Sequence, residues 1–174
     1  MRFRLNITLN DNDYFEYNKF WMLRSPYGKK QLIFFRIIIA VLLVLYMIIM
    51  RESLLHIIVT AIVIVLFEIF LSPLFAFSLK GQLKGMKKRG KMGYSPSAIM
   101  EFYEDTFVEI TPDNKIEQKY KVIERISVVD HKILYIHVNN VAAYLLPLSC
   151  FDSLTQYNDF LDFIKTKCAK IDIY

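Results

Sequence analysis

Two long apolar runs constrain this chain more than any other feature of its sequence. They cover residues 32–50 and 54–79, and only three residues, 51–53, separate them. The hydrocarbon core of a bilayer is about 30 Å thick, so an α-helix needs roughly 20 apolar residues to cross it. Each run is long enough to cross alone. The sequence therefore predicts a transmembrane helical hairpin over residues 32–79.

The charged residues are distributed unevenly along the chain. Apolar residues make up 55% of the 174 residues, and the mean hydropathy is +0.31. The net charge of Lys and Arg against Asp and Glu is +3 in residues 1–31, zero in 32–79, +6 in 80–97 and −4 in 98–174. Nucleic-acid binding needs a basic folded domain. Because residues 98–174 are acidic, we expect no nucleic-acid partner.

Basic residues flank both apolar runs on the side away from the connecting turn. They are Arg24, Lys29 and Lys30 before the first run, and Lys80, Lys84, Lys87, Lys88, Arg89 and Lys91 after the second. Lys and Arg next to a span resist translocation, so we expect both termini in the cytoplasm.

Residues 80–97 are interpreted as a basic juxtamembrane linker, because four glycines interrupt the lysines and disfavour a long helix. We expect its six cations to contact anionic lipid headgroups. A specific phosphoinositide-like or cardiolipin site and an ordinary positive-inside bias both explain these charges.

Two charged residues, Arg36 and Glu68, lie inside the apolar runs. Each is 16 positions from Glu52, so a hairpin centred on Glu52 brings both to the same depth. Because charges inside a bilayer need partners, we predict an intramembrane ion pair. The pair either fixes the hairpin register or belongs to a proton or ion relay. The same count ends the second span near Leu71 and places Pro73 at the membrane interface.

The first 31 residues contain a strand and a helix of their own. Strict alternation over residues 2–9 predicts a half-buried β-strand. Asn10, with Asp13 three positions later, predicts the start of a helix with an aromatic face, which Pro26 and Gly28 end. We expect this helix to lie in the headgroup layer. Packing on the cytoplasmic domain is the alternative.

From residue 98 the pattern changes to short β-strands separated by turn residues. The predicted strands are 99–103, 106–110, 115–120, 125–129, 133–138 and 142–146. Ser153 or Thr155 then begins an amphipathic helix. The predicted fold class is a membrane α+β protein: a two-helix transmembrane hairpin plus a small meander sheet or partly open barrel, which the C-terminal helix closes.

A pattern of apolar and aromatic residues in this segment carries a family resemblance. It consists of residues 102–107, Ile123, Ile126, residues 134–136, residues 145–147 and Phe151. With the aromatic helix and two-span hairpin before it, the pattern resembles the YcxB-like family. The resemblance implies a multi-pass protein of the bacterial cytoplasmic membrane whose domain 98–174 is similar to pleckstrin-homology (PH) domains. It implies no enzymatic activity.

No catalytic motif occurs in the sequence. It contains no Gly-rich phosphate loop, no cysteine pair at metal spacing and no nucleophile elbow. We expect His131 to lie in a turn, His137 to have a cross-strand role, and Cys150 and Cys168 to be small buried residues. Four acidic residues are placed mainly on a solvated face: Glu101, Glu104, Asp105 and Glu109. We therefore assign no catalytic, cofactor or metal residue and expect no enzyme.

Two functions of different classes remain. The first is a membrane-anchored binding or scaffold module that presents its β-domain at the cytoplasmic membrane surface. Its partner is an unknown protein, a peptide or a second copy of the chain, and a sheet edge is the expected docking place. The alternative is a small transporter or channel subunit of oligomerised hairpins, with Arg36 and Glu68 inside.

Overall fold

The chain forms two compact units. The computed structural model describes residues 1–50, 54–90 and 94–174, without the side chains of Met50, Leu54 and Glu68. The β-unit comprises Met1–Tyr14 and Gly93–Tyr174, and the helical unit comprises Phe15–Met92. The helical unit is therefore an insertion within the sequence of the β-unit.

The described elements are eight strands, four α-helices and two short 3-10 turns. The strands are β1 Phe3–Thr8, β2 Ser97–Phe102, β3 Thr106–Ile110, β4 Lys115–Lys119, β5 Arg125–Val129, β6 Ile133–His137, β7 Ala143–Pro147 and β8 Ile171–Ile173. The helices are α1 Asp11–Leu23, α2 Pro26–Met50, α3 Leu54–Lys88 and α4 Leu154–Lys167. The 3-10 turns are Tyr120–Val122 and Leu148–Cys150.

The first sheet has the order β1-β2-β3-β4, and all its pairs are antiparallel. Alternation predicted β1, and the structure confirms it. Its partner is β2, about 90 residues later, with Thr8 opposite Ser97. The chain thus leaves the sheet at the end of β1 and returns on the neighbouring strand.

The second sheet has the order β7-β6-β5-β8. The six strands predicted from residue 98 onward are confirmed, as is the helix after them. The described strands form two four-stranded sheets, neither closed, instead of one partly open barrel. The C-terminal strand β8, parallel to β5, was not predicted because three residues are too few to show alternation.

The core of the β-unit lies between the two sheets and α4. Its fully buried members include Leu5, Met100, Phe102, Phe107, Ile126, Leu134, Ile136, Leu146, Phe160 and Ile164. Phe160 of α4 packs edge-on against Phe102, with the ring centroids 4.8 Å apart. Ser153 caps this helix, because its Oγ accepts a hydrogen bond from the Gln156 N–H at 3.1 Å. Both cysteines are free thiols; Cys168 is buried as predicted, whereas Cys150 is only partly buried.

The start and the end of α1 are both confirmed. Asn10 Oδ1 accepts the Asp13 N–H at 3.1 Å, and Asp13 Oδ2 accepts the Asn10 N–H at 2.9 Å, which forms a capping box. Helix α1 ends at Leu23, ahead of Pro26 and Gly28, as predicted. They occupy the first turn of α2, where proline is favoured because its missing N–H has no helical partner.

Helix α3 is longer than the predicted second span. It runs unbroken through Gly81 and Gly85 to Lys88, so the prediction of a largely non-helical linker from residue 80 is wrong. The helix is bent by 49° between Phe67 and Ile69. Pro73 explains the bend, since a proline leaves the carbonyl four residues earlier, that of Ile69, without its helical donor.

One described helix meets the requirements of a membrane span. The stretch Pro26–Ile49 of α2 is long and apolar enough, and none of its most apolar window is buried. The two arms of α3, Leu55–Phe67 and Ile69–Lys88, meet the requirement together as one bent span. The described chain therefore has one candidate span near its N-terminus, or two when bent α3 counts as a span.

Candidate functional site

Strand β4 is an exposed edge of the first sheet. Across the β3–β4 turn, the Thr111 N–H donates to Asn114 O at 2.8 Å. From this pair onward, every second residue of β4 forms backbone hydrogen bonds with β3. By that alternation Glu117 and Lys119 direct their backbone groups away from β3. Among the described residues, no strand pairs with β4 on this side. The edge is therefore open to an added strand.

A small polar group lies beside this edge, where β4 approaches β7. Tyr144 Oη of β7 donates to Gln118 Oε1 of β4 at 3.3 Å. Burial, with a smaller contribution from the Glu109 charge, raises the pKa of Tyr144 to about 12. We call β4 together with Glu109 and Tyr144 the β4 edge.

Glu109 departs from the prediction of a solvated acidic face. It lies on the same side of β3 as Phe107, which is 1% exposed, and Glu109 itself is half-buried. Burial raises the pKa of its carboxyl group. Partial desolvation of a carboxylate disfavours its charged form. The sequence signal that was missed is the two-residue spacing between Glu109 and Phe107, which places both on the same face of β3.

A second polar group is buried in the second sheet. Ser127 Oγ lies 3.1 Å from His137 Nε2, and both residues are 0% exposed. Burial, and secondarily the charge of Arg125, lowers the pKa of His137 to about 3, so this imidazole is neutral at physiological pH. The contact agrees with the expected cross-strand role of His137. The described residues contain no group of three or more His, Cys, Asp or Glu that could hold a metal.

A third group lies at the surface around Glu104. Its carboxylate accepts from Arg2 Nε at 3.1 Å and from Lys167 Nζ at 3.0 Å. Lys167 Nζ also lies 5.4 Å from the centre of the Phe163 ring. The hydrogen bond and charge of Lys167, followed by the charge of Arg2, lower the pKa of Glu104. The group links the N-terminal segment, the β2–β3 turn and α4, so we assign it a structural role.

The predicted basic residues lie mainly on the last turns of α3. Lys80, Lys84 and Lys87 recur at spacings of four and three, so they share one helix face, and Lys88 is adjacent. All four are exposed. Lys91 lies outside the described residues.

Arg89 and Gly90 cap the C-terminal end of α3. Arg89 Nε donates to the carbonyl of Gly85 at 3.1 Å, and Gly90 ends the helix at φ 65°. The guanidinium of Arg89 therefore contributes to the helix end. The predicted contact of these cations with anionic headgroups stays a prediction.

The predicted intramembrane pair of Arg36 and Glu68 also stays a prediction. Arg36 lies on α2 and is partly buried. The side chain of Glu68 lies outside the described residues, as does the predicted turn, residues 51–53.

Comparison with known proteins identifies one family. Residues 102–164 match the family model described as YcxB-like protein. The match begins at the last residue of β2 and ends within α4, so β1 and β8 lie outside it. No curated protein and no solved structure matches the chain.

Proposed function

We propose that this chain, which belongs to the YcxB-like family through its residues 102–164, is a membrane-anchored binding module. In this proposal α2 and α3 form a transmembrane hairpin with both chain termini in the cytoplasm. The β-unit is a PH-like domain at the membrane surface, and it binds an extended segment of a partner protein along the β4 edge.

One contrast between the two units carries the proposal. The β-unit has a complete core of its own, whereas α2 exposes large apolar side chains along its length, from Ile33 at 54% to Ile49 at 73%. Exposed apolar surface on this scale is unfavourable in water and favourable in a bilayer. Helices α2 and α3 contact each other within the helical unit, which supports a hairpin.

The order of the strands supports a PH-like domain. A four-stranded antiparallel meander, a three-stranded antiparallel meander and helix α4 follow each other in the β-unit, and the short strand β8 comes after the helix. Phe160 of α4 fills the space between the two sheets. The helical unit is inserted into the first hairpin of the domain, between β1 and β2.

Cysteine labelling tests the anchor and its orientation. In a Cys150→Ser background, we expect Ser53→Cys to react with a membrane-impermeant maleimide in intact cells. Asp113→Cys, in the exposed β3–β4 turn, should react only after permeabilisation. Native Cys168 is 7% exposed, so it is shielded on either side of the membrane. Labelling of Asp113→Cys in intact cells would contradict the topology, and ion flux through vesicles holding the purified chain would favour the channel alternative.

The chemistry of the β4 edge indicates what kind of segment it binds. Lys115, Glu117 and Lys119 share one face of β4, and all three are exposed. Lysines on an edge strand discourage unspecific pairing between edges. We therefore propose an extended segment with acidic side chains opposite the two lysines, paired through backbone hydrogen bonds.

Photo-crosslinking tests this edge directly. A benzoylphenylalanine in place of Lys119 is expected to form an adduct in cells, and one in place of Asp159 on the exposed face of α4 is not. Glu117→Pro should abolish the adduct, because it removes an N–H that points away from β3, while the thermal unfolding of the domain stays unchanged. An adduct of twice 20.6 kDa identifies a second copy as the partner. Equal adducts from positions 119 and 159, or an adduct that survives Glu117→Pro, would rule out strand addition.

A further inference from the structure

An apolar cavity of about 400 Å³, open on one side, lies in the helical unit where α1, α2 and α3 approach each other. Its walls come from Met22 of α1, from Phe34, Phe35 and Ile38 of α2, and from Leu71 and Phe75 of α3. The volume falls within the range of about 300–1,000 Å³ that is typical of small-molecule pockets. The cavity is therefore large enough for a ligand.

The bend of α3 accounts for the position of the cavity. The helix changes direction by 49° between Phe67 and Ile69, immediately before Leu71, the first α3 residue of the wall. A straight helix continuing along α2 would pack its side chains where the cavity lies. Pro73 thus produces, through the bend, a gap that the side chains of the helices do not fill.

The lining of the cavity offers few hydrogen-bond partners to a water molecule. Gln31 is the single polar residue that lines it in the described part of the chain. A buried water needs two to four polar partners, which one amide side chain and apolar walls do not supply. The content that fits is therefore a flexible apolar group.

The charge at one end of the cavity indicates what is attached to that group. Gln31 directly follows Lys29 and Lys30, and both lysines are exposed. No Asp or Glu occurs in residues 26–50 or 69–90. The segment that leads into Gln31 is thus basic, which is complementary to an anion, and the nearest acidic residue along α3 is Glu68.

We propose that the cavity binds an acyl chain of an anionic phospholipid, whose phosphate lies against Lys30 and the Gln31 amide. This inference rests on the proposed membrane anchoring and adds a defined lipid to it. The acyl chain fills the gap beside Pro73, and the lipid stabilises the contact between α2 and α3.

Two tryptophan variants on neighbouring residues test the acyl-chain site. The full chain is reconstituted in vesicles of phosphatidylcholine and phosphatidylglycerol that contain a phosphatidylglycerol probe with a diazirine in its acyl chain. Ile38→Trp places an indole in the cavity, and Ile37→Trp places it one residue away, outside the lining. We expect the Ile38 variant to give roughly tenfold less crosslinked lipid, which corresponds to the loss of burial of about two methylene groups. The Ile37 variant should give as much crosslinked lipid as the original chain.

A charge variant tests the headgroup. Lys30→Gln is expected to lower the preference of the crosslink for phosphatidylglycerol over an equivalent phosphatidylcholine probe. Lys19→Gln, the same change in α1, should leave the preference unchanged. Equal crosslinking by the Ile37 and Ile38 variants, or a preference that Lys30→Gln leaves intact, would overturn the proposal.

Membrane retention separates this inference from the anchor itself. Alkaline extraction of the same vesicles reports whether the chain remains embedded. Retention of all variants with unchanged crosslinking refutes the lipid site and leaves the anchor standing. Release of the unsubstituted chain refutes the anchor.

Discussion

A chain shortened to residues 94–174 is expected to remain unfolded, although it keeps seven of the eight strands and α4. β1 pairs with β2 over six residues, and it contributes Leu5, which is 0% exposed, and Ile7, which is 5% exposed, to the core. Removing a buried Leu or Ile side chain costs about 2–5 kcal/mol, and two such losses approach the roughly 5–15 kcal/mol that stabilises a typical domain. Circular dichroism and amide chemical-shift dispersion measure the result.

The matched control restores β1 without the helical unit. Residues 1–10 joined to 94–174 by a short Gly-Ser linker are expected to fold, because Thr8 is already opposite Ser97 and Leu9 N–H donates to Pro96 O at 2.9 Å. This chain should unfold cooperatively on heating, and Leu5→Ala should lower its midpoint. A folded 94–174 chain that is as stable as the joined one would show that β1 is dispensable.

The second large effect is expected at Gly28, where α1 meets α2. A Cβ at this position would overlap the Trp21 carbonyl oxygen and would lie 2.5 Å from Met22 O and 2.7 Å from Met22 Cα. These are backbone atoms, so they cannot move aside as a side-chain tip can. Ser25, which is 0% exposed, holds the corner: its Oγ accepts the Gly28 N–H at 3.0 Å and its hydroxyl donates to Trp21 O.

Gly28→Ala is therefore expected to destabilise the helical unit by about 1–3 kcal/mol or more, the range of overpacking in a closed site. The thermal midpoint in detergent should fall, and trypsin cleavage after Arg24 should become faster. Gly81→Ala is the control, because a Cβ at Gly81 has nothing within 4 Å and alanine favours a helix over glycine by about 1 kcal/mol. If the two alanine variants have the same thermal midpoint, the close contact at Gly28 does not exist.

Signals confined to a few neighbouring residues were predicted correctly. The capping pair Asn10 and Asp13, the alternation of β1 and the cap at Ser153 each depend on side chains within about one turn or one strand of each other. The extent of α3 was predicted wrongly, because Gly81 and Gly85 weaken a helix by only about 1 kcal/mol each. The stability of the rest of the long helix outweighs that cost.

The candidate site was predicted less completely than the strands. The sequence placed the lysines of residues 80–91 next to the predicted membrane segment but assigned them to a linker. Only the helix brings Lys80, Lys84 and Lys87 onto one face. It predicted that a sheet edge would be the docking place without showing which one. The sheet order leaves four end strands, β1, β4, β7 and β8, and β4 became the candidate because Glu117 and Lys119 direct their backbone groups away from β3.

The sequence by itself determined the identity of the elements, because hydrophobic period, capping and turn residues act over short distances. The sequence was enough to distinguish the apolar helices, the short strands and the amphipathic helix α4. Only the tertiary structure decided that β1 pairs with β2 across the inserted helical unit, that Glu109 lies half-buried beside Tyr144, and that bent α3 leaves a cavity beside α2. Each of these depends on contacts between residues far apart in the chain, which no local pattern encodes.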